Sequence, residues 1–487
     1  MSSKSGGKEN MRKIWILCGY ILFTSLLVNS TLRSQVTQLQ PAFERTYTPL
    51  EMVISRRMSI QYGEFYDLTT PVPSELVSQV LWAAYGYSWR GRAAPTLSGH
   101  PIIVYVCDET AAYQFVPENQ SLTLLKEGDY RGLGGAYPAP IQLFIAVDTN
   151  ICENVTWGNA EAGCPVQNIY LMANALNLGT VVTDDVYGDI NGALGLPANV
   201  KFLYKMSLGY PLPPFRDYQN LVPTSRPSSS ELPEIQDSAM SLEDALDALF
   251  SSHEWSEDLI TKQELSQVLW ASYGQSYYED TVSSPKRHRT VPSAHAYYPM
   301  RIYAANSSGI YEYIPEQHTL TTIVAEDRRL SIALASGNTW ASSAPLIIAL
   351  VWDDSHILTV DTTYVEVGLI TQNVHLESAA WGLIADWARA DSDEEAMRAA
   401  LGLTGENHLH PASVITIAHP SLATIREDTN VNFKVDIYDL FIVSKAYQTT
   451  PHDTGWDPRA DIYKDFKITI RDIFSIAKKF GWRASKI

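Results

Sequence analysis

Five oxygen-bearing side chains near the C-terminus fall at a spacing that suits a hard cation. Asp428, Asn430, Asn432, Asp436 and Asp439 occupy positions 1, 3, 5, 9 and 12 of a twelve-residue stretch, the register in which a calcium loop wraps an ion in oxygens. Asp461–Asp472 repeats that register, but Tyr463 and Thr469 replace two of its ligands. Phe433 and Phe466 stand where such loops turn sharply on a glycine. The first loop, with five oxygen side chains, is expected to bind Ca2+. The second keeps three and reads as a packed hairpin of helices without metal.

Elsewhere the short motifs of familiar chemistries are missing. The chain has no Cys-x-x-Cys, His-Glu-x-x-His or Gly-x-Ser-x-Gly, so structural zinc, zinc-protease and hydrolase-elbow readings have no foothold. His408, His410 and His419 lack metal-ligand spacing and read as structural. Cys152 and Cys164 either close a short disulfide loop in an oxidising compartment or remain separate thiols. Spacing alone assigns no catalytic residue.

The elements that position any site occur twice. Ser78–Gly86 reads SQVLWAAYG and Ser266–Gly274 reads SQVLWASYG. In the same order, Arg92–Tyr105 answers Arg289–Tyr303, Tyr113–Leu122 answers Tyr311–Leu320, and Glu161–Asn168 answers Glu366–Asn373. The order of these matches marks a duplication. Leu76–Tyr85 has apolar residues at helical spacing, and Ile102–Cys107 and Ile302–Ala305 suit strands. Ile141–Val147 and Pro345–Trp352 are continuous apolar runs, as strands buried on both faces would be. Val166–Leu178 and Leu369–Gly382 are apolar nearly all round, which predicts helices inside a core or interface. An α+β sandwich with a mixed sheet is expected in each copy. Val222–Ser238, rich in Ser and Pro, reads as a linker between them.

The totals agree with several globular domains. A chain of 487 residues exceeds one ordinary core, and 45% hydrophobic with 18% charged residues is a folded composition. The net charge of −18 repels phosphate backbones, so no nucleic-acid partner is expected. Lys4, Lys8, Arg12 and Lys13 precede an apolar run, Ile14–Val28. That run is shorter than the roughly 20 residues of a bilayer span. It fits a secretory signal within residues 1–30, with an uncleaved anchor as the alternative. The protein is therefore expected outside the cell or on its surface, touching membrane only through this segment. Asn-x-Ser/Thr triplets at Asn29, Asn119, Asn154 and Asn306 agree with export.

The repeated blocks resemble the nitroreductase superfamily, and within it the azoline-oxidising (SagB-type) dehydrogenase branch. The resemblance rests on Arg56-Arg57-Met58-Ser59, on the Leu-Trp-Ala helices, and on Pro292-Ser293-Ala294 with Tyr298-Pro299. It rests further on Tyr311–Leu320, on Glu161-Ala162-Gly163 with Gln167-Asn168, and on Gly209-Tyr210-Pro211 followed by Arg216. It spans roughly Pro49–Arg216 and Ser241–Arg426. It implies two α/β sandwich domains, 49–216 and 241–423, joined by linker 217–240 and forming an intramolecular pseudo-dimer. It also implies flavin mononucleotide (FMN) held where the copies meet, and a small-molecule redox substrate. Copy one lacks an intact Pro-Ser-Ala turn, having Pro95-Thr96-Leu97-Ser98-Gly99, and copy two lacks the opening arginines. The resemblance thus implies one nearly complete site. Arg56, Arg57, Ser59, Glu161, Gly163 and Arg216 of copy one would combine with Pro292, Ser293 and Ala294 of copy two. At most one FMN per chain is expected.

The two calcium-loop-plus-helix units in residues 424–487 resemble a degenerate type I dockerin, an all-α, EF-hand-type module. That implies docking onto a cohesin-like partner or within the chain. The resulting expectation is an exported FMN-dependent oxidoreductase, with a non-catalytic surface or assembly protein bearing degenerate flavin sites as the alternative.

Overall fold

The structure, a computed structural model, describes residues 36–39, 46–60, 66–88, 90–135, 137–152, 154–212, 218–253, 255–281, 287–421, 426–430, 434–450, 453, 455–463 and 467–483. The basic and apolar N-terminal segment, Arg216 and Asn432 lie outside them. Among the described residues no helix is long and apolar enough to cross a membrane.

Each copy is built on one large antiparallel sheet with helices packed on it, and the described residues also form a three-stranded and a two-stranded sheet. Copy one contributes β1 (Val36–Gln38), β2 (Ile102–Cys107), β3 (Ala111–Val116), β4 (Ser121–Glu127), β5 (Ile141–Asp148), β6 (Gly179–Thr183) and β7 (Val200–Gly209). Their order is β1-β4-β3-β2-β5-β7-β6. In copy two, β8 (Met300–Asn306), β9 (Gly309–Ile314), β10 (Thr319–Val324), β11 (Leu346–Asp353), β12 (Ile384–Arg389) and β13 (Leu409–Ala418) lie in the order β10-β9-β8-β11-β13-β12. Every pairing among the described strands of both sheets is antiparallel, which corrects the expected mixed sheet. The apolar runs at β5 and β11 reflect burial on both faces, not parallel pairing. Leu143 and Ile145 of β5 join one core while Phe144 and Ala146 join another behind the sheet.

The long helices lie where their all-round apolar character demands. Helix α1 (Leu50–Arg56), α2 (Ser74–Tyr85) and α3 (Val155–Ala175) belong to copy one. Helices α4 (Leu242–Ala248), α5 (Lys262–Tyr273) and α6 (Val360–Ala380) belong to copy two. Asn154 caps α3, and Thr359 caps α6 by a capping box. Trp157 to Asn174 is buried throughout, because α3 and α6 pack directly on one another. The crossing turns on Gly163 and Gly368. A Cβ at Gly163 would meet the Val365 carbonyl at 2.3 Å, and one at Gly368 the Ala160 carbonyl at 1.9 Å. A reciprocal amide network flanks the crossing. Gln167 Nε2 donates to Asn373 Oδ1 (2.8 Å) and to the Thr290 carbonyl (3.2 Å). Gln372 Nε2 donates to the Ala93 carbonyl (3.1 Å), which also accepts from Asn168 (3.0 Å). One hydrophobic core runs through both copies.

The Ser/Pro-rich connection between the copies is anchored, because Leu232 and Ile235 are fully buried in the common core. It is also tied to both copies, with Thr224 N–H donating to Tyr277 O and Ser238 N–H to Glu51. Cys152 and Cys164 form no disulfide; they and Cys107 are buried free thiols. The Cys164 thiol points across the helix crossing to the Gly368 carbonyl.

Two short helices, α7 (Ile437–Lys445) and α8 (Ile470–Lys479), close the chain around Val435, Val443, Ile468 and Ile476. Their starts are equivalent. Asp436 with Asp439, and Thr469 with Asp472, form capping boxes. Asp439 also accepts from Thr429 Oγ1 (3.0 Å) and Asn430 N–H (3.3 Å), while Asp472 accepts from Ile462 and Tyr463 N–H. The last carboxylate of each loop therefore closes the loop on its own N–H groups. Asp436 spends its oxygens on Tyr438 N–H and on Lys434, 2.8 Å away. Among the described residues no group of three or more His, Cys, Asp or Glu side chains is placed to hold a metal ion. Of the residues expected around Ca2+, Asp428, Asn430, Asp436 and Asp439 are described, and Asn432 lies outside the described residues.

A candidate functional site between the two copies

Where the end of α1 meets copy two, a cavity of about 340 Å³ opens, within the range of small-molecule sites. Copy one supplies Ser59, Tyr170 of α3, Val181, Val182, Asp184 and Asp185 at the end of β6, and Tyr204 of β7. Copy two supplies Pro292, Ser293, Ala294 and His295, with Leu358, Thr362, Val365, Glu366 and Leu369 around and along α6. The structure thus brings together residues more than two hundred positions apart, Ser59 and Pro292-Ser293-Ala294, that the sequence had paired.

The cavity's polar groups are held in fixed relations. The hydroxyls of Ser59 and Tyr170 are 3.0 Å apart, and Val182 N–H donates to Tyr170 Oη at 2.8 Å. On the opposite wall Ser293 Oγ donates to Glu366 and accepts from Tyr298 N–H. Tyr273 Oη donates to the other oxygen of Glu366 at 2.9 Å. Burial pushes the Glu366 carboxyl up to about 8, against the pull of those hydrogen bonds. At neutral pH it is a mostly protonated acid inside a ligand-sized cavity. The loop above it is strained: His295, Ala296 and Tyr298 all adopt left-handed backbone at φ 51°, 57° and 51°.

Arg57 is buried behind the cavity wall. Its guanidinium lies 5.3 Å from the centre of the Tyr170 ring, and Nη2 donates to the Arg289 carbonyl of copy two at 3.2 Å. Arg56 turns the other way, towards Tyr218 and Tyr278. Glu161 and Gly163 do not reach this cavity. Glu161 accepts from Leu97 and Ser98 N–H of its own copy, both at 2.7 Å, and Gly163 serves the helix crossing. The acid that joins Ser59 and Ser293 is Glu366, the counterpart of Glu161 in the repeat. The resemblance places the Glu-x-Gly block with the opening arginines, whereas here the glutamate that lines the cavity with Ser59 and Ser293 belongs to the other copy.

As a test of fit, Pro292, Val181, Leu369 and Tyr170 offer the apolar and aromatic wall that a flavin ring needs. The phosphate end is less well served. Among the described lining residues Asp184, Asp185 and Glu366 are acidic and none is Lys or Arg. Arg57 is one layer back. Arg216 lies outside the described residues.

A second cavity, of about 470 Å³, occupies the reciprocal position. Pro95 and Thr96 line it where Pro292 and Ser293 line the first, and His375 takes the place of Tyr170. Asp386 and Trp387 of β12 replace Val181 and Val182 of β6. Arg90, Arg92 and Arg459 give it a cationic lining.

The nitroreductase family model matches residues 54–210 and 251–419, both copies. A nitroreductase-type protein of Methanocaldococcus jannaschii is 34% identical over 166 residues, covering 31% of this chain and 79% of that protein. A solved structure of this type from Anabaena variabilis superposes with a TM-score of 0.55 at 15% identity, over 75% of this chain and 93% of its own. That likeness concerns the fold alone. A further structure, from Desulfovibrio desulfuricans and solved in complex with FMN, matches at 16% identity and a TM-score of 0.28 over 36% of this chain and 84% of its own.

Proposed function

This chain belongs to the nitroreductase family, and we propose that it is an exported, SagB-type oxidoreductase that binds one FMN in the first cavity, with its two copies acting as an intramolecular pseudo-dimer. The observation that carries this reading is the convergence of Ser59, Tyr170, Pro292, Ser293 and Glu366, from both copies, on one ligand-sized space. Ser59 and Ser293 would supply hydroxyls to the cofactor, Tyr170 and Leu369 the ring wall, and Arg57 the charge towards its phosphate. When bound, the flavin supplies hydride transfer through its N5. Glu366, mostly protonated at neutral pH, holds a proton beside the ring wall and ties the strained 293–298 loop in place through Ser293.

One observation favours a competing reading, a non-catalytic surface or assembly protein with degenerate sites: the acidic lining of this cavity at Asp184 and Asp185. Visible absorbance separates the two. Purified protein, or protein incubated with FMN and desalted, is expected to keep flavin absorbance that bleaches with a chemical reductant. Protein that stays colourless after incubation would decide for the competing reading.

A further inference from the structure

The second cavity is the roomier of the two, at about 470 Å³ against about 340 Å³. It also draws on a part of the chain that the repeat does not supply. Thr429, Asn430 and Arg459 of the C-terminal module line it beside residues of both copies. Of the arginines in its lining, Arg92 has a side chain only 9% exposed and pairs with Glu118 at 2.8 Å. Arg459 pairs with Asp457 at 2.7 Å. Neither of those acids is part of the described lining, so the guanidinium groups border the space and their counter-charges do not. Arg90 lies 4.8 Å from the Phe250 ring and feels the charge of Asp428, and burial lowers it to about 10, so it stays charged at neutral pH. The acid among the described lining residues, Asp386, is engaged elsewhere. Its Oδ1 accepts from Trp387 N–H at 2.9 Å and its Oδ2 pairs with His253.

Two buried groups of this wall are left unsatisfied. His375 and Trp387 are 4% and 5% exposed, and His375 Nε2 and Trp387 Nε1 have no hydrogen-bond partner among the described residues. In the first cavity their places are taken by Tyr170 and Val182, where Val182 N–H satisfies the Tyr170 hydroxyl. Here the equivalent N–H, that of Trp387, is given to Asp386. His375 Nδ1 donates to the Thr371 carbonyl at 2.8 Å, and burial lowers the ring's pKa against the pull of Asp386. The ring is therefore neutral, and its Nε2 is an acceptor. A buried donor and a buried acceptor without partners are costly, and a molecule that pairs with them recovers that cost. The wall is also polar where a flavin ring needs it apolar, with Asp386 for Val181 and His375 for Tyr170. We propose that the second cavity is a separate binding site for a small organic anion that carries hydroxyl groups. Its carboxylate or phosphate lies towards the arginines and Trp387 Nε1, and a hydroxyl donates to His375 Nε2. This does not depend on what the first cavity binds.

Calorimetric titration of the full chain tests this with four probes. Glycerol 3-phosphate and glycerate carry both an acid group and hydroxyls, sulfate carries charge alone, and glycerol carries hydroxyls alone. Saturable binding of glycerol 3-phosphate or of glycerate is expected, and whichever binds more tightly identifies the acid group. Sulfate and glycerol should each bind at least about tenfold more weakly, having lost one half of the contacts. Arg459→Met should weaken the tighter probe by about tenfold, and Trp387→Phe, which keeps an aromatic wall without the N–H, by about fivefold. Ser293→Ala, in the first cavity, should leave it unchanged, and a melting curve for each variant checks that the chain still folds. Failure of both hydroxylated anions to bind at millimolar concentration would overturn the site. So would sulfate binding as tightly as they do, or Ser293→Ala weakening them as much as Arg459→Met.

Discussion

The two inter-copy cavities sit at equivalent places in a reciprocal frame, yet they carry different chemistry. In the first, Tyr170, Val181 and Val182 face Ser293 and a mostly protonated Glu366. In the second, His375, Asp386 and Trp387 face Thr96, three arginines line the space, and Glu161 is withdrawn onto the backbone of Leu97 and Ser98. What has been kept alike is the crossing between them: Gly163 against Gly368, and Gln167 and Gln372 each reaching a carbonyl of the other copy. Packing constrains both copies equally because each helix needs the other's groove. A ligand site needs only one good example, so the walls were free to diverge.

The largest expected effect tests the shared part of that comparison. Valine at either Gly163 or Gly368 drives a side chain into a backbone carbonyl that cannot retreat. Each substitution should cost about 5 kcal/mol, on the scale of a whole domain's stability, and calorimetry should show both copies melting early together. A loss confined to one copy would break the idea of a common core.

The next effect separates the two glutamates. Glu366 has its pKa raised from 4.5 to about 8, so the folded state holds its proton more tightly than the unfolded one. The stability this contributes is complete below pH 4.5 and disappears as pH rises to about 8, a loss of roughly 3–4 kcal/mol. Glu366→Gln should flatten the urea-unfolding free energy across that window relative to the native chain. Burial raises Glu161 as well, but its two backbone donors oppose that, so Glu161→Gln should flatten the profile less.

Smaller changes concern binding. Arg57→Ala and Ser293→Ala, although in different copies, should each weaken FMN by about 1.5–3 kcal/mol, roughly 10- to 150-fold, in a fluorescence titration. Arg426→Ala should move the first cavity's affinity by less than about 0.5 kcal/mol, since its partners are Asp247 and Ile462. An equal loss in all three variants would mean that the cavities are not independent.

Much of this frame was legible in the sequence. The duplicated Leu-Trp-Ala helices, the all-round apolar helices and the two-sided strands come from periodicity, which local sequence carries directly. The pairing of Ser59 with Pro292–Ala294 came from complementary losses in the two copies. What the sequence leaves open has a common cause, which is that composition does not report contacts at long range. Glu161 and Glu366 look alike until one sees which loop each one caps. Leu232 and Ile235 are two apolar residues in a polar stretch, and only the assembled core shows that they anchor it. Asp436 and Asp439 have ligand spacing, but the same spacing serves a capping box, and nothing in the string decides between the two uses. Tyr170, Asp184 and His295 carried no motif and were missed altogether.

Whether one cavity, built from both copies, is the flavin site is tested most directly by titrating the flavin-free full chain with FMN, followed by quenching of flavin fluorescence. One equivalent per chain is predicted, with the site weakened by Arg57→Ala and by Ser293→Ala alike; two equivalent sites, or no uptake at all, would contradict that reading.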